Sequence, residues 1–185
     1  MVISRHPRET FSSTTRLVLP NDTNTLGNLM GGNLLHWMDV AAAISANRHC
    51  RRVVVTAAVN NVSFQKPIKL GEIVIIESQV TRSFKSSMEV YLEVFVESTL
   101  TGVKSRCNEA MYTFVAVDQQ GAPIEVPKTV PETKEEEQRF DGALRRRQLR
   151  LILAGKMKPS DATELKALFM WLLCVDYLGR GIDDA

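Results

Sequence analysis

The chain has 185 residues, of which 44% are hydrophobic and 24% are charged, an ordinary composition for a globular protein. Its formal net charge of +2 at pH 7 is too close to zero to predict a nucleic-acid partner. The first residues lack the apolar core of a secretory signal, and the three cysteines, Cys50, Cys107 and Cys174, lack the number and spacing of a disulfide framework or a zinc site. We therefore expect a protein of a reducing, cytoplasmic compartment that holds no metal.

The N-terminal part of the chain predicts an arm, a strand and a loop. Residues 1–12 are polar and predict a flexible N-terminal arm. Weak alternation from Ser13 to Leu19, followed by a proline, predicts a first strand. A polar turn that contains Asn24 then leads to the glycine pair Gly31 and Gly32.

A long helix is predicted from about Asn33 to His49, and it is apolar on nearly every face. Its apolar residues are Leu34, Leu35, Trp37, Met38, Val40, Ala41, Ala42, Ala43, Ile44 and Ala46. A helix of this kind is buried in a core or spans a membrane. This helix is too short to span a membrane, which needs roughly 20 apolar residues, so we expect a buried central helix and no membrane partner.

One carboxylate, Asp39, interrupts the apolar middle of this helix. Burying an unpaired carboxylate costs several kcal/mol, so such a group is paired or titrates abnormally. A carboxylate near a glycine pair at a helix N-terminus is a candidate general base or nucleophile. Two structural alternatives remain open: Asp39 lies on a narrow exposed face, or it forms an ion pair with a residue such as Arg48.

The segment after the helix predicts an antiparallel sheet. Tight turns join most of its strands, and hairpin-linked strands must be antiparallel. The alternation after Ser87 is regular, with glutamates and aromatics on the face opposite Met88, and predicts one solvated face. The predicted strands are residues 53–65, Glu72 to Ser83, Ser87 to Ser98 and Val103 to Asp118. A helix buried against such a sheet gives a two-layer α+β domain, which we place at residues 13–128.

The composition changes after Pro127, and residues 129–185 predict a C-terminal helical extension. A charged helix is expected from Glu132 to Gly155. A last helix is expected from Ser160 to about Leu178.

These segments together resemble the hotdog-fold acyl-CoA thioesterases, of the type found in bacterial short-chain and animal cytosolic acyl-CoA hydrolases. The matching blocks, in order between about Leu17 and Pro127, are L-P-N-D-T-N-T-L-G-N-L-M-G-G-N-L-L-H-W-M-D, A-N-R-H-C, V-V-T, V-S-F-Q-K-P-I-K-L-G-E, S-S-M-E-V and F-V-A-V-D. The resemblance implies a hotdog fold, in which an antiparallel sheet wraps around a long central helix. It also implies hydrolysis of acyl-CoA to a free carboxylic acid and coenzyme A, without a cofactor.

The resemblance also implies a catalytic site shared between two subunits. Asp39 falls at the family's catalytic carboxylate, and Asn24 falls at the asparagine that joins it from another subunit. Gly31 and Gly32 fall where backbone N–H groups polarise the thioester carbonyl, and amides at a helix N-terminus stabilise the negative charge that develops there. We expect a homo-oligomer with a dimer as its smallest unit and a hexamer, a trimer of dimers, as its assembly. Whether Asp39 activates water or attacks the thioester directly stays open.

Further residues are implied in coenzyme A binding. Thr56 lies in the V-V-T block and either supports the site or is an ordinary strand threonine. Ser86, Ser87 and Met88 match a block that lies near the pantetheine and phosphates. Phe84 stands where the family usually has glycine, which puts the nucleotide contact in doubt.

The arginine run on the charged helix, which includes Arg145 and Arg147, could bind the phosphates of coenzyme A, since the guanidinium fork suits phosphate. The favoured alternative is a solvated helix face that pairs with neighbouring glutamates.

The remaining candidates are histidines, a cysteine and other functions. His36 could orient Asp39 from three residues away, although a lone helix histidine is more often structural. His49 is expected at the helix C-terminus, where a cation is favoured. Cys50 has no evident acid–base partner.

The rival functions are a non-catalytic acyl-CoA sensor whose C-terminal helices act as an output module, and an acyl-thioester dehydratase, whose His and acidic residue are not found in the required arrangement.

Overall fold

Five antiparallel strands curl around one long helix in the computed structural model, which describes residues 4–60, 62 and 66–167. The elements in chain order are β1 (Ser4–Arg5), β2 (Ser12–Leu17), α1 (Gly31–Cys50), β3 (Val53–Asn60), β4 (Ile73–Ser83), β5 (Ser87–Glu97), β6 (Lys104–Val117), β7 (Lys128–Thr129) and α2 (Lys134–Leu153). The strand order in the sheet is β2-β4-β5-β6-β3, so β2 and β3 form its two edges. The predicted α+β hotdog architecture is confirmed.

Helix α1 packs on the sheet with one side. Its buried residues are spaced three and four apart, as one face of a helix requires, and they are Leu34, Trp37, Met38, Ala41, Ala42, Ser45, Ala46, His49 and Cys50. Two serines join the helix to β4: the Ser78 hydroxyl donates to the Ala41 carbonyl at 3.0 Å, and the Ser45 hydroxyl donates to the Ser78 carbonyl at 3.0 Å. The small side chains of this face let the helix backbone lie close to the strands.

The opposite side of α1 is left open by the chain itself. Gly32, His36 and Asn47 are exposed there, and Val40 is 37% exposed. The expectation of a helix buried on every face is therefore wrong for a single chain, because one sheet covers only one side of a helix. The uncovered side is apolar at Val40 and bordered by the half-buried Ala43 and Ile44.

Edge strand β3 also exposes apolar residues. Val53, Val55 and Val59 are 64%, 46% and 45% exposed. Of the five strands, only β6 pairs with β3. A long apolar edge strand offers unpaired backbone groups and side chains to another chain.

Residues 4–12 do not form the flexible arm that the sequence predicts. β1 pairs in parallel with β7, and a 3₁₀ helix spans Pro7–Thr10. Thr10 is fully buried, and its hydroxyl oxygen accepts the Val80 N–H at 2.9 Å. This hydrogen bond between the Thr10 side chain and the backbone of β4 holds the segment in place, although its sequence has no apolar pattern that predicts burial.

The face of β5 that was predicted to be solvated is partly buried. Glu89 and Tyr91 are both buried on it. The Thr81 hydroxyl donates to Glu89 Oε1 at 3.0 Å, and the Tyr91 hydroxyl donates to Glu109 Oε2 at 3.1 Å. The alternation identified the two faces correctly, but it carries no information about what covers each face.

Three bulges interrupt the sheet, each by one extra residue. They lie at Ala57 in β3, at Thr81 in β4 and at Cys107 in β6. A bulge lets neighbouring residues of one strand point to the same side, so bulges frequently lie beside functional sites.

The chain forms two compact units, Met1–Glu136 and Glu137–Ala185, so the predicted boundary at 128/129 lies inside the first unit. Most of α2 belongs to the second unit, in which the Leu165 N–H donates to Gln148 Oε1 at 2.9 Å. Residues 163–167 are helical, and the rest of the last predicted helix, to Leu178, lies outside the described residues. No helix in the described ranges has both the length and the apolar character needed to cross a membrane.

Candidate active site

Asp39 on α1 is paired with Thr56 on β3. The Thr56 hydroxyl donates to Asp39 Oδ1 at 2.7 Å, and the carboxylate is only partly buried. The alternative partner, Arg48, donates instead to the Phe11 carbonyl. A hydrogen bond to a carboxylate is short and stronger than a neutral one, so Thr56 fixes the orientation of Asp39.

A buried tyrosine lies behind this pair. The Tyr112 hydroxyl donates to the Leu35 carbonyl at 3.3 Å. Burial, together with the nearby charge of Asp39, raises the pKa of Tyr112 to about 12. Tyr112 therefore stays neutral at physiological pH.

The N-terminus of α1 presents the amides of Gly31 and Gly32, which have no hydrogen-bond acceptor among the described residues. The helix begins at Gly31, and its N-cap residue, Met30, makes no side-chain capping bond. The first amides of a helix have no carbonyl partner within it and carry partial positive charge. A Cβ atom placed on Gly32 would meet nothing within 4 Å, so glycine leaves this approach open. The amides of Gly31 and Gly32 are thus available to an anionic oxygen.

The loop before α1 holds Asn24 in a fixed orientation. Asn24 Oδ1 accepts the N–H groups of Leu26 at 2.9 Å and Asn28 at 3.2 Å. The Gly27 N–H donates to the Asn24 carbonyl at 2.9 Å, and Gly27 adopts φ 72°, which favours glycine. Because its oxygen is used within the loop, Asn24 offers its exposed Nδ2 group outward.

A cavity of about 380 Å³ brings Asn24 and Gly31 together. Leu29, Leu34 and Ile68 supply apolar parts of its wall. Asp39 is not on this wall, because it follows Gly31 by eight residues, or about 12 Å of helix. The single chain therefore contains the two predicted halves of a site at two separate places.

Of the wall residues that the sequence did not predict as site residues, two lie on β6: Cys107 and Asn108. Asn108 follows the same alternation along β6 as Ala110 and Tyr112, whose side chains point into the core. A polar residue at a position where the alternation predicts a core residue could therefore have marked Asn108 as a candidate. Cys107 reaches the same cavity because it is the bulged residue. Burial raises the pKa of the Cys107 thiol to about 11.

The residues predicted to bind coenzyme A lie in different surroundings. Met88 is fully buried in the core, so its side chain packs there. Ser86 and Ser87 are partly exposed. The Ser86 carbonyl accepts the N–H of Ala116 on β6, and the Ser87 carbonyl accepts the N–H of Phe84 in the turn before β5. The role of these two serines stays a prediction.

Two arginines of the predicted set, Arg145 and Arg147, belong to the second unit. Their predicted contact with the phosphates of coenzyme A stays a prediction.

The two histidines of α1 lie in different surroundings. His36 is exposed on the open side of α1, and the described hydrogen bond of Asp39 comes from Thr56 instead. His49 is buried with Nε2 2.8 Å from the Pro127 carbonyl, and burial lowers the pKa of its imidazole. His49 therefore joins the last turn of α1 to Pro127 as a neutral donor and does not act as a cation at the helix C-terminus. Burial also raises the pKa of the Cys50 thiol.

Comparison of the sequence with a protein-family model and with known proteins finds thioesterases. The sequence model of the thioesterase superfamily matches residues 26–103. The uncharacterized acyl-CoA thioester hydrolase YkhA of Bacillus subtilis is 44% identical over 133 residues, which are 72% of this chain and 77% of that protein. The cytosolic acyl coenzyme A thioester hydrolase of Rattus norvegicus is 35% identical over 70% of this chain, which spans 35% of the rat protein.

Solved structures share the fold. An apo hexameric acyl-CoA thioesterase has a TM-score of 0.79 and 37% identity, covering 83% of this chain and 98% of that one. An acyl-CoA hydrolase from Staphylococcus aureus, in complex with butyryl coenzyme A, coenzyme A and coenzyme A disulfide, has a TM-score of 0.75 and 33% identity, covering 83% and 95%. Structures of that enzyme also exist with an asparagine, an aspartate or a threonine replaced by alanine.

Proposed function

This chain belongs to the hotdog-fold acyl-CoA thioesterases, enzymes that hydrolyse acyl-CoA thioesters. We therefore propose that Asp39 is its catalytic carboxylate. The observation that carries the proposal is the 2.7 Å hydrogen bond from Thr56 to Asp39 Oδ1. It leaves Oδ2 of a partly exposed carboxylate available to a water molecule or to the thioester carbon. Asp39 acts there as the general base or as the nucleophile.

The amides of Gly31 and Gly32 bind the thioester oxygen. Attack on the carbonyl carbon moves negative charge onto that oxygen, and the charge is stabilised by preorganised N–H groups at a helix N-terminus. With Asp39 as general base, Asp39 takes a proton from the attacking water, the C–S bond breaks, the coenzyme A thiolate takes up that proton, and the acyl group is released as a carboxylic acid. With Asp39 as nucleophile, breaking the C–S bond leaves an anhydride between the acyl group and Asp39, which a water molecule then hydrolyses. Asn24 Nδ2 donates a further hydrogen bond in the same cavity, which it shares with Gly31.

The spacing of the proposed residues supports their roles. In the Staphylococcus aureus enzyme, the replaced asparagine, aspartate and threonine are 15 and 17 residues apart. Asn24, Asp39 and Thr56 have the same two spacings. Because the two chains share the fold, the same three residue types at the same two spacings support equivalent positions for them.

The site is completed by a second copy of the chain. Gly31 lies about two helical turns from Asp39 within one chain, and Asn24 shares the cavity with Gly31, so a partner's Asp39 would face them. Both the open side of α1 and edge strand β3 expose valines that a second copy would cover. A hexameric structure of a similar thioesterase supports a hexamer, and the arrangement proposed for this chain is a trimer of dimers.

Acyl-CoA is the proposed substrate, and the cytoplasm is the proposed compartment. A structural neighbour was solved with butyryl coenzyme A, and a relative is named a cytosolic hydrolase. No cofactor is proposed, since a carboxylate and backbone amides can supply the base and the oxyanion donors. Activity should therefore survive dialysis against EDTA, and a loss restored by one metal ion would contradict this part of the proposal.

The first experiment measures free-thiol release from acyl-CoAs of increasing length, from acetyl to palmitoyl, by the wild type and by Asp39→Asn. Loss of the base or nucleophile should lower kcat by about two orders of magnitude or more. The control is Asp141→Asn, an exposed carboxylate of α2, which should retain the wild-type rate. A near-normal rate in Asp39→Asn would overturn the assignment, and tight binding without turnover by the wild type would favour the sensor.

A further inference from the structure

Asn108 on β6 carries a buried amide nitrogen with no partner. The residue is 9% exposed, and its Nδ2 makes no hydrogen bond among the described residues. The Glu109 N–H donates to Asn108 Oδ1 at 2.7 Å, which settles which end of the amide is the nitrogen. Buried polar groups are nearly always hydrogen-bonded, so an unpaired donor at this place needs an explanation.

The position of Asn108 supplies one. Its side chain lies in the wall of the cavity that also holds Asn24 and Gly31. The bulge at Cys107 turns two consecutive residues of β6 toward this cavity, whereas consecutive residues of a regular strand point to opposite faces. The neighbouring walls at Leu34 and Ile68 are apolar. Asn24, Asn28 and Lys66 supply the other polar parts of the wall. The cavity can therefore take a short acyl chain against Leu34 and Ile68, with Asn108 Nδ2 as a buried donor that has no partner among the described residues.

We propose that Asn108 is a specificity-determining residue that donates a hydrogen bond from Nδ2 to an oxygen atom of the acyl group. This inference rests on the proposed function, because the acyl group enters the cavity only if the thioester carbonyl is bound at Gly31. The substrate class it names is short acyl-CoAs with a hydroxyl or carbonyl oxygen along the chain, such as 3-hydroxyacyl and 3-oxoacyl thioesters.

The physical basis is the cost of leaving a donor unpaired. A saturated acyl chain in the cavity excludes water and leaves Nδ2 without a partner, whereas an oxygen-bearing chain pairs it. Sites built to hydrogen-bond a substrate group discriminate strongly against the analogue that lacks the group.

The test compares kcat/KM for 3-hydroxybutyryl-CoA and butyryl-CoA, two substrates that differ by one hydroxyl. The wild type should favour the hydroxylated substrate by about tenfold or more. Asn108→Leu, which keeps the size and removes the donor, should abolish this preference by lowering kcat/KM for 3-hydroxybutyryl-CoA to the level for butyryl-CoA. Cys107→Ala, the matched control on the same wall, should keep the preference.

Each contrary result overturns the proposal. If Asn108→Leu lowers kcat/KM equally for both substrates, Asn108 donates to a group that both contain, such as an amide carbonyl of the pantetheine arm. A wild type with no preference would also reject it, whether or not the variant folds. These failures are distinct from failure of the proposed function, since butyryl-CoA turnover that disappears in Asp39→Asn would still establish the catalytic carboxylate.

Discussion

The Thr56 hydroxyl donates to Asp39 Oδ1 at 2.7 Å, joining edge strand β3 to the middle of helix α1. The two residues are 17 positions apart and belong to the two surfaces that the chain leaves open. The proposed catalytic carboxylate is therefore oriented by a residue of the strand that is exposed for pairing.

Thr56→Val should lower kcat by about 10- to 100-fold, because a hydrogen bond to a charged group contributes about 1.5–3 kcal/mol. Thr56→Ser keeps the hydroxyl and should stay within a few-fold of the wild type. Both variants should fold normally, since Thr56 is exposed in the single chain. Steady-state thiol release with butyryl-CoA measures the difference, and an unimpaired Thr56→Val would show that this bond has no part in the reaction.

Mixed oligomers test whether the site spans two chains. Asn24→Ala and Asp39→Ala should each be inactive as pure proteins. In a dimer of one chain of each kind, one of the two composite sites keeps both residues, so random mixing should restore about a quarter of the wild-type sites. Co-expression at equal levels, with the same affinity tag on both chains so that all oligomers are collected, followed by the activity assay, measures the recovery. A site contained in one chain would give no recovery at all.

Gly32→Ala should separate stability from activity. A Cβ at Gly32 meets no atom of its own chain within 4 Å, and alanine is favoured over glycine in a helix by roughly 0.5–1 kcal/mol. We expect equal or higher stability in urea unfolding, together with a fall in kcat/KM, because the methyl group occupies the approach to the helix amides. Unchanged kinetics would mean that no substrate atom comes close to this residue.

Val55→Lys should disrupt the proposed dimer. Val55 is 46% exposed on β3, and a lysine on an edge strand prevents pairing with another chain. Light scattering after size-exclusion chromatography should show a smaller species, and activity should fall with it because the site needs two chains. Leu100→Lys, in an exposed turn, is the control that should change neither. An intact, active oligomer of Val55→Lys would exclude β3 from the interface.

The stability of the fold should fall in mild acid because of His49. Burial lowers the pKa of His49 below its ordinary value of 6.5, so the unfolded chain binds this proton more tightly than the folded chain. The contribution of neutral His49 is complete above pH 6.5 and is lost as the pH falls from there toward the folded pKa. Urea unfolding at pH 7.5 and 5.5 measures the slope.

His49→Gln should reduce that slope, since glutamine can donate to the Pro127 carbonyl and does not titrate. His36→Gln, at an exposed position, should leave it unchanged. If His49→Gln keeps the full slope, other groups cause the pH dependence.

The parts of the fold that depend on local pattern were predictable from the sequence. The central helix was expected from Asn33 to His49 and is observed at Gly31–Cys50, because its apolar run and its glycine pair are local signals. The strand from Ser87 was placed within one residue of its observed end, Glu97, by period-two alternation. Asp39 was found because a carboxylate in an apolar run is conspicuous.

Contacts across the fold were not predictable in the same way. The sequence did not distinguish Thr56 as a site residue from an ordinary strand threonine, because its partner is set by how β3 passes α1. The bulge at Cys107 has no glycine or proline to mark it, so the turning of Cys107 and Asn108 toward one cavity was invisible. The anchoring of Thr10 depends on a backbone N–H of β4, and a backbone group leaves no trace in the pattern of side chains.

The exposed valines of β3 make stability a function of protein concentration. If a second copy covers Val53, Val55 and Val59, folding and association are one equilibrium, and dilution favours the separated chains by mass action. A tenfold dilution then costs the assembly about 1.4 kcal/mol per dimer. An unfolding temperature measured at micromolar protein should lie above one measured at nanomolar protein, and enzyme assays at high dilution should lose activity with time unless substrate holds the two chains together.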